Sequence, residues 1–277
     1  MAQITYDFSG STALVTGGGT GIGYAVADAL AEAGATVTVM GHLADQIEPA
    51  AETLRARFGA EAIRAVVGDV TVEADLQRAV QEAAGDGALD FAIANAGSAV
   101  PGPILMLEKS AWDYVNTLNI TGTALTIKHA GLAMRRKGGR IVTISSAAAI
   151  QAIKCMAPYS ASKAAVEMLT RGAAIELAPF GINVNCISPG WIRTEAAGFI
   201  PPSAQQQLRE RTLIGEGAEP SVIAEGVLHL CSAHTAFVTG SIVQIGGGLH
   251  VFGGEDFTEL SKMMYGEAAI AQLLGPG

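Results

Sequence analysis

Short apolar, β-branched runs alternate with longer alanine-rich segments of helical period along most of the chain. The runs predict strands at 12–16, 36–40, 63–69, 89–97, 139–146, 182–188 and 240–246. Strands that are apolar throughout are covered on both faces, as in parallel sheets, and the intervening helices supply right-handed crossovers. The sequence therefore predicts a single α/β domain over residues 1–277, a doubly wound parallel sheet between two layers of helices.

Two segments interrupt this alternation. Residues 191–220 contain several Pro, Gly and Gln residues and precede the last helix before the final strand, so they predict a substrate lid at the carboxyl edge of the sheet. Residues 251–277 form a C-terminal extension in which 257–274 has a helical composition. The extension would cover a neighbouring subunit's pocket or enlarge an oligomer interface.

Composition limits the possible partners. Hydrophobic residues make up 49% of the 277 residues and charged residues 16%, which excludes a disordered chain. The net charge of −9 repels phosphate backbones, so we expect no nucleic-acid partner. The first ten residues lack the pattern of a signal peptide, and no apolar run reaches the ~18 residues of a membrane span. These features predict a soluble, cytoplasmic protein with no membrane partner.

The cysteines and histidines give no sign of a metal site. The cysteines are far apart and form no CxxC pair: Cys155, Cys186 and Cys231. They predict reduced thiols. The five histidines show no metal-ligand spacing, and we expect no metal.

A glycine-rich turn, TGGGTGIG at 16–23, follows the first strand and opens the first helix. Glycines in such a turn let backbone N–H groups approach a pyrophosphate at the helix N-terminus. The sequence therefore predicts dinucleotide binding. The residues concerned are Gly17, Gly19, Thr20, Gly21, Ile22 and Gly23. The GK[ST] of a P-loop is absent, which argues against ATP or GTP hydrolysis.

The end of the second strand bears on the choice between NAD(H) and NADP(H). A carboxylate here would accept the ribose hydroxyls of NAD and repel the 2′-phosphate of NADP. The chain has Gly41 and His42 instead. A protonated or donating histidine could hold the 2′-phosphate, so the sequence slightly favours NADP(H) and leaves NAD(H) open.

Each remaining strand ends in small or polar residues. They are Asp69, Asn95-Ala96-Gly97, Ser145-Ser146 and Ser188-Pro189-Gly190. Because the carboxyl ends of parallel strands meet at one edge, where ligands bind in open α/β folds, these residues are expected to converge. Tyr159 and Lys163 follow, four residues apart on one helical face. An ammonium one turn from a phenol favours the phenolate, which suits a proton donor. The pair taken alone would equally fit a surface tyrosine beside a lysine.

Over residues 8–250 the ordered motifs resemble those of single-domain short-chain dehydrogenases/reductases, which have a Rossmann-like fold. The matching motifs are TGGGTGIG, Asp69, NAG at 95–97, Asn119 in LNITG, Ser146, Tyr159-x-x-x-Lys163 and PGWIRT at 189–194. The family often has aspartate where this chain has Gly246, and asparagine where it has Ala94. Neither difference affects the residues that carry the chemistry.

The resemblance implies a role for each matched residue. Tyr159 would be the general acid/base, and Ser146, thirteen residues earlier, would bind the reacting oxygen. Lys163 would bind the nicotinamide ribose and activate the phenol. Asn119 would hold a water that links Lys163 to solvent, although it could instead be a polar residue that kinks its helix. The expected cofactor contacts are Asp69 and Val70 at the adenine, Asn95, Ala96 and Gly97 at the adenosine ribose, and Pro189, Gly190, Ile192 and Thr194 near the nicotinamide.

The implied activity is NAD(P)(H)-dependent interconversion of a ketone and a secondary alcohol. A catalytically silent dinucleotide sensor is the alternative, and so is a scaffold whose glycine loop is only a turn. Candidate substrate residues are largely apolar and favour a neutral, hydrophobic substrate: Ser98, Ser146, Ala147, Gln151, Ile153, Met156, Trp191 and Phe199. By resemblance, a homotetramer would form through helices at 110–137 and 157–179.

Overall fold

The computed structural model describes residues 4–198, 200–251 and 257–268. Its strands are β1 (Thr12–Thr16), β2 (Thr36–Gly41), β3 (Ile63–Val67), β4 (Phe91–Ala94), β5 (Gly139–Ile144), β6 (Ile182–Pro189) and β7 (Ile242–Ile245). Its helices are α1 (Gly21–Glu32), α2 (Ala44–Phe58), α3 (Glu73–Ala84), α4 (Lys109–Asn116), α5 (Gly122–Met134), α6 (Ala157–Leu177), α7 (Pro202–Arg211), α8 (Pro220–Cys231) and α9 (Thr258–Tyr265).

The strands form one parallel sheet in the order β3-β2-β1-β4-β5-β6-β7. Strand β1 pairs with β2 on one side and β4 on the other, with Val15 opposite Val39 and Ile93. The strand order reverses at this point, and a crevice for ligands opens at the carboxyl ends of β1 and β4. The predicted doubly wound parallel sheet is confirmed.

Both faces of the sheet are buried, as the continuous apolar runs predict. Successive residues of β1 point to opposite layers, because side chains alternate along a strand. Val15 packs with Leu30 of α1 in the layer that also contains α2 and α8. Leu14 packs with Leu76 of α3 in the layer that contains α5 and α6.

The structure refines several predicted boundaries. Strand β4 covers four residues of the apolar run 89–97, because pairing stops where the chain turns toward the ligand edge. The helix expected at 110–137 runs from Lys109 to Met134 and contains a π-helical turn at Thr117–Thr121. Residues 191–220, predicted as a lid, contain α7, and the described part of the C-terminal extension contains α9. Within the described ranges, no helix is long and apolar enough to cross a membrane.

Candidate active site

The turn from β1 into α1 has a shape that requires glycine. Gly17 and Gly21 have φ angles of +64° and +54°, in the left-handed region that side chains disfavour. A Cβ on Gly23 would lie 2.0 Å from the Gly17 carbonyl oxygen, so the helix packs directly on the turn. The turn is a cradle of bare backbone at a helix N-terminus, and it fits a pyrophosphate group.

Asn95 fixes this turn to the end of β4. Its Nδ2 donates to the carbonyl oxygens of Thr16, at 3.0 Å, and of Gly17, at 3.2 Å. The Thr16 hydroxyl accepts from the Asn95 N–H and donates to the Ile93 carbonyl. The Asn95 side chain therefore holds the cradle in place, a role beyond the ribose contact that the resemblance implies.

A cavity of about 300 Å³ lies beside the ends of β2 and β3, at the expected adenosine end. It is lined by His42, Asp69, Thr71, Asp113, Tyr114, Thr117 and Leu118. The Asp69 carboxylate accepts from the N–H and the hydroxyl of Thr71, both at 2.8 Å. Val70 is buried against Gly122 of α5. The sequence predicted His42 and Asp69 here, whereas the α4 residues reach the cavity only through helix packing.

The two serines at the end of β5 face different surroundings. Ser145 is 3% exposed, and its hydroxyl lies 3.1 Å from the Lys163 carbonyl oxygen and 3.2 Å from Glu167 Oε1. Ser146 is partly exposed, and its Oγ accepts from the Ala148 N–H at 3.2 Å. Of the two serines, Ser146 is therefore the one whose hydroxyl hydrogen has no acceptor among the described residues and is available to a ligand.

Helix α6 carries Tyr159 and Lys163 one turn apart. Lys163 is 5% exposed and its Nζ donates to the Ile144 carbonyl oxygen at 2.9 Å. The same Nζ lies 5.7 Å from the centre of the Tyr159 ring, and the tyrosine is partly exposed. An ammonium has three donors, and the described residues engage one of them. The other two are available for hydroxyl groups of a bound ligand.

The π-helical turn brings Asn119 next to this lysine. The Asn119 amide exchanges two hydrogen bonds with the Ser98 backbone and donates to the Ser162 hydroxyl, all at 2.9 Å. A Cβ on Gly97 would lie 3.1 Å from Asn119 Oδ1 and 3.3 Å from Lys163 Nζ. Asn119 thus joins the loop after β4 to α6. The interrupted helix fits the kinking role that the sequence left open.

The segment after β6 approaches the glycine turn from the other side. Gly21 would place a Cβ 3.3 Å from Thr194 Cγ2, so Thr194 borders the cradle. Ile192 is buried, and Pro189 ends β6. Gly190 packs against Gly246. A Cβ on Gly190 would lie 2.5 Å from the Gly246 Cα, and a Cβ on Gly246 would lie 2.8 Å from the Gly190 Cα. This contact explains the glycine where the family often has aspartate.

The predicted substrate residues are placed unevenly. Gln151 is 4% exposed and donates to the Leu249 carbonyl oxygen, so its side chain ties two loops together. Trp191 packs its ring against Gly217. Ser98 bonds Asn119 through its backbone, and Ala147 is buried. Ile153 is 43% exposed, and Met156 directly precedes α6. Phe199 lies outside the described residues.

Two of the three cysteines, Cys186 and Cys231, are buried and not placed for thiolate chemistry. Burial raises the pKa of Cys186 to about 11 and that of Cys231 to about 12, so both thiols stay protonated at neutral pH. Across residues 4–198, 200–251 and 257–268, no group of three or more His, Cys, Asp or Glu side chains could hold a metal ion.

Comparison with known proteins shows the family. A family profile described as enoyl-(acyl carrier protein) reductase matches residues 17–250. A cis-4-hydroxycyclohexanecarboxylate dehydrogenase of Sinomonas cyclohexanicum is 38% identical over 244 residues, 87% of this chain and 97% of the relative. A cyclohexanol dehydrogenase of Rhodococcus sp. (strain TK6) is 36% identical over 259 residues, 87% and 96% of the two chains.

Solved structures agree with this result. A short-chain type dehydrogenase/reductase from Mycobacterium ulcerans superimposes with a TM-score of 0.86 at 35% identity, covering 95% of this chain and 98% of the other. A gluconate 5-dehydrogenase from Burkholderia cenocepacia J2315, in complex with NADP and tartrate, has a TM-score of 0.84 at 30% identity, covering 89% and 98%. A 7α-hydroxysteroid dehydrogenase with NADH and 7-oxo glycochenodeoxycholic acid has a TM-score of 0.82 at 31% identity, covering 87% and 95%. With its glycine cradle, its serine and its Tyr-Lys helix at one sheet edge, the chain belongs to the short-chain dehydrogenase/reductase family.

Proposed function

We propose that this protein is an NAD(P)(H)-dependent oxidoreductase that interconverts a ketone and a secondary alcohol on a neutral, hydrophobic substrate. Tyr159 and Lys163 lie one turn apart on α6, which packs on the 3-10 turn that Ser146 caps, at the sheet edge that carries the glycine cradle. This arrangement supports the function most directly. The two dehydrogenases named for alcohols on a cyclohexane ring, one of them a carboxylate, support the interconversion of alcohol and ketone. A silent sensor would not need these three side chains together.

Each side chain has a distinct task. In reduction, the Tyr159 hydroxyl donates its proton to the carbonyl oxygen, and in oxidation it takes the proton of the alcohol. The Ser146 hydroxyl donates a hydrogen bond to the same oxygen and stabilises its developing charge. The two remaining N–H groups of Lys163 would hold ribose hydroxyls of a bound nicotinamide cofactor, and Asn119 keeps the loop at Gly97 in place. The bound nicotinamide supplies or accepts the hydride.

A panel of ketones and alcohols, run with NADPH, NADH and their oxidised forms, tests the function. We expect cyclohexanone and bulkier alicyclic ketones to give a higher kcat/KM than small oxo-acids. The reason is that the candidate substrate residues are largely apolar, such as Ile153, and none of them carries a cationic group that would bind an acid. The proposal of a neutral substrate is wrong if a charged oxo-acid is preferred. The enzymatic function itself is wrong if no carbonyl or alcohol in the panel reacts.

Replacing His42 with aspartate tests the preference for NADP(H). The new carboxylate would repel a 2′-phosphate and accept the hydroxyls of an unphosphorylated ribose. We expect the Kd of NADPH to rise by about 30-fold and that of NADH to fall, as measured by titration of nicotinamide fluorescence, where 1.4 kcal/mol corresponds to tenfold. His234→Asp makes the same change at an exposed position in the 3-10 turn Ala233–Thr235, before β7, and should leave both constants unchanged. Equal losses for the two cofactors would contradict a role of His42 in selection.

We further infer a homotetramer in the cytoplasm. Helices α5 and α6 expose Leu132, Met168 and Ile175, which are 52%, 64% and 78% accessible. Exposed apolar residues on neighbouring helices favour self-association. The three free cysteines suit a reducing compartment. A solution mass equal to that of one 28.3 kDa chain would contradict the assembly.

A further inference from the structure

The two ends of the lid segment, residues 191–220, run side by side at its base. The Arg193 N–H donates to the Ala218 carbonyl oxygen at 2.8 Å, and the Ala218 N–H donates to the Trp191 carbonyl oxygen at 3.0 Å. The Arg193 guanidinium also donates to Glu219 and to the Gly217 carbonyl. These bonds fix the base of the lid next to Thr194, which borders the glycine cradle.

Arg209 connects helix α7 of the lid to this base. Its guanidinium carbon lies 5.9 Å from the centre of the Trp191 ring, within the range of a cation–π contact. Its Nε lies 3.6 Å from Glu216 Oε1, and the other oxygen of Glu216 lies 3.9 Å from Arg193. The indole also packs on Gly217, where a Cβ would lie 2.8 Å from a ring atom.

The strength of these contacts suits a latch that opens. Arg209 and Glu216 keep 46% and 70% of their side-chain surface accessible to solvent, so each ion pair is weak and is screened by salt. Between the end of α7 and Glu216 lies Gly215, whose φ of +99° permits a sharp turn. The chain just after α7 is also bonded to the loop after β7, because the Ile214 N–H donates to the Gly247 carbonyl oxygen.

We propose that Arg209 is a positioning residue that holds α7 closed over the substrate, through Trp191 and Glu216, and so sets substrate affinity without taking part in hydride or proton transfer. This inference rests on the proposed oxidoreductase function. Arginine suits the position because its planar group can stack on an indole while it pairs with a carboxylate. A lysine at this position would keep the charge and lose the stacked geometry.

The test compares Arg209→Ala, Arg209→Lys and a control, Arg211→Ala. Arg211 is exposed on the same helix and has no ion pair to any residue in the described part of the chain. For Arg209→Ala we expect the KM of the best ketone to rise about fivefold to tenfold, with kcat and the Kd of NADPH within about twofold of the unchanged protein. Arg209→Lys should give a smaller rise, and Arg211→Ala none.

Two further readouts separate a latch from a structural role. Raising NaCl from about 0.05 to 1 M should increase the KM of the unchanged protein and have little effect on Arg209→Ala, because screening removes the same ion pair. The chain has two tryptophans, so a Trp112→Phe background makes emission report Trp191 alone. In that background, Arg209→Ala should shift the emission to longer wavelength as the indole becomes wetter.

The results distinguish this inference from the proposed function. The proposed role of Arg209 is wrong if Arg209→Ala leaves both the KM and the Trp191 emission unchanged. It is also wrong if Arg209→Ala lowers kcat while its KM still rises with salt as that of the unchanged protein does. An absence of all carbonyl reduction by the unchanged protein would instead refute the oxidoreductase function, while the emission shift would still report the contact between Arg209 and Trp191.

Discussion

Replacing Tyr159 with phenylalanine is expected to lower kcat by roughly 10³-fold, within the range that general acid–base groups contribute. The ring keeps its volume and its place on α6, so only the transferable proton is lost. Lys163 keeps its bond to the Ile144 carbonyl oxygen in the variant. Steady-state rates with the best ketone, together with a fluorescence titration of NADPH, separate loss of chemistry from loss of binding.

Tyr6→Phe is the matched control for this substitution. Tyr6 stacks on Phe8, away from the glycine cradle and from α6, so removal of its hydroxyl should leave kcat unchanged. We expect the Tyr159 variant to bind NADPH within about threefold of the unchanged affinity, because a factor of three is less than 1 kcal/mol. A Tyr159→Phe protein that retains a tenth or more of the activity would show that another group supplies the proton.

Gly23→Ala is expected to weaken cofactor binding by at least about 100-fold. A methyl group on Gly23 would lie 2.0 Å from the Gly17 carbonyl oxygen and 2.6 Å from Asn95 Nδ2. No contact so short can persist, so the turn must move away from α1. The backbone N–H groups that would bind the pyrophosphate move with it, and a loss of about 2.7 kcal/mol corresponds to 100-fold. Fluorescence titration of NADPH and NADH measures the loss.

Two other glycines control for this substitution. Gly172→Ala on α6 places its methyl group with no atom within 4 Å, and it should raise stability by up to about 1 kcal/mol. Gly21→Ala meets only Thr194 in the space around it, at 3.3 Å, although its φ of +54° is unfavourable for alanine. The Gly21→Ala protein should fold, and it should bind NADPH more weakly than the unchanged protein does. Unchanged NADPH affinity in a folded Gly23→Ala protein would show that this turn does not hold the cofactor.

The fold could be predicted because its signals are local. Each apolar run is long enough to identify a strand, and burial on both faces follows from the run itself. The ends of the strands could not be predicted to the residue, since pairing stops where neighbouring backbones diverge. The π-helical turn at Thr117–Thr121 has no local signature either. It accompanies the bonds from Asn119 to Ser98 and Ser162, which lie 21 and 43 residues away.

The sequence indicates some positions of the candidate site and not others, and the difference has a physical reason. The glycine turn, Ser146 and the Tyr-Lys pair follow directly after predicted strands, so topology alone brings them to one edge. The position of α4 depends on how helices pack, and its Tyr114 therefore reached the adenosine-end cavity without any signal in the sequence. Gln151 was expected to face substrate, and its bond to Leu249 spans 98 residues. A single sequence gives no indication of such a partner.

The close approach of Gly190 and Gly246 has a mechanical consequence. These residues stand where the chain leaves β6 for the lid and β7 for the C-terminal segment, and their backbones touch without any intervening side chain. Neither departure point can swing freely past the other. A movement of the chain where it leaves β6 would therefore press on the chain where it leaves β7, and the reverse.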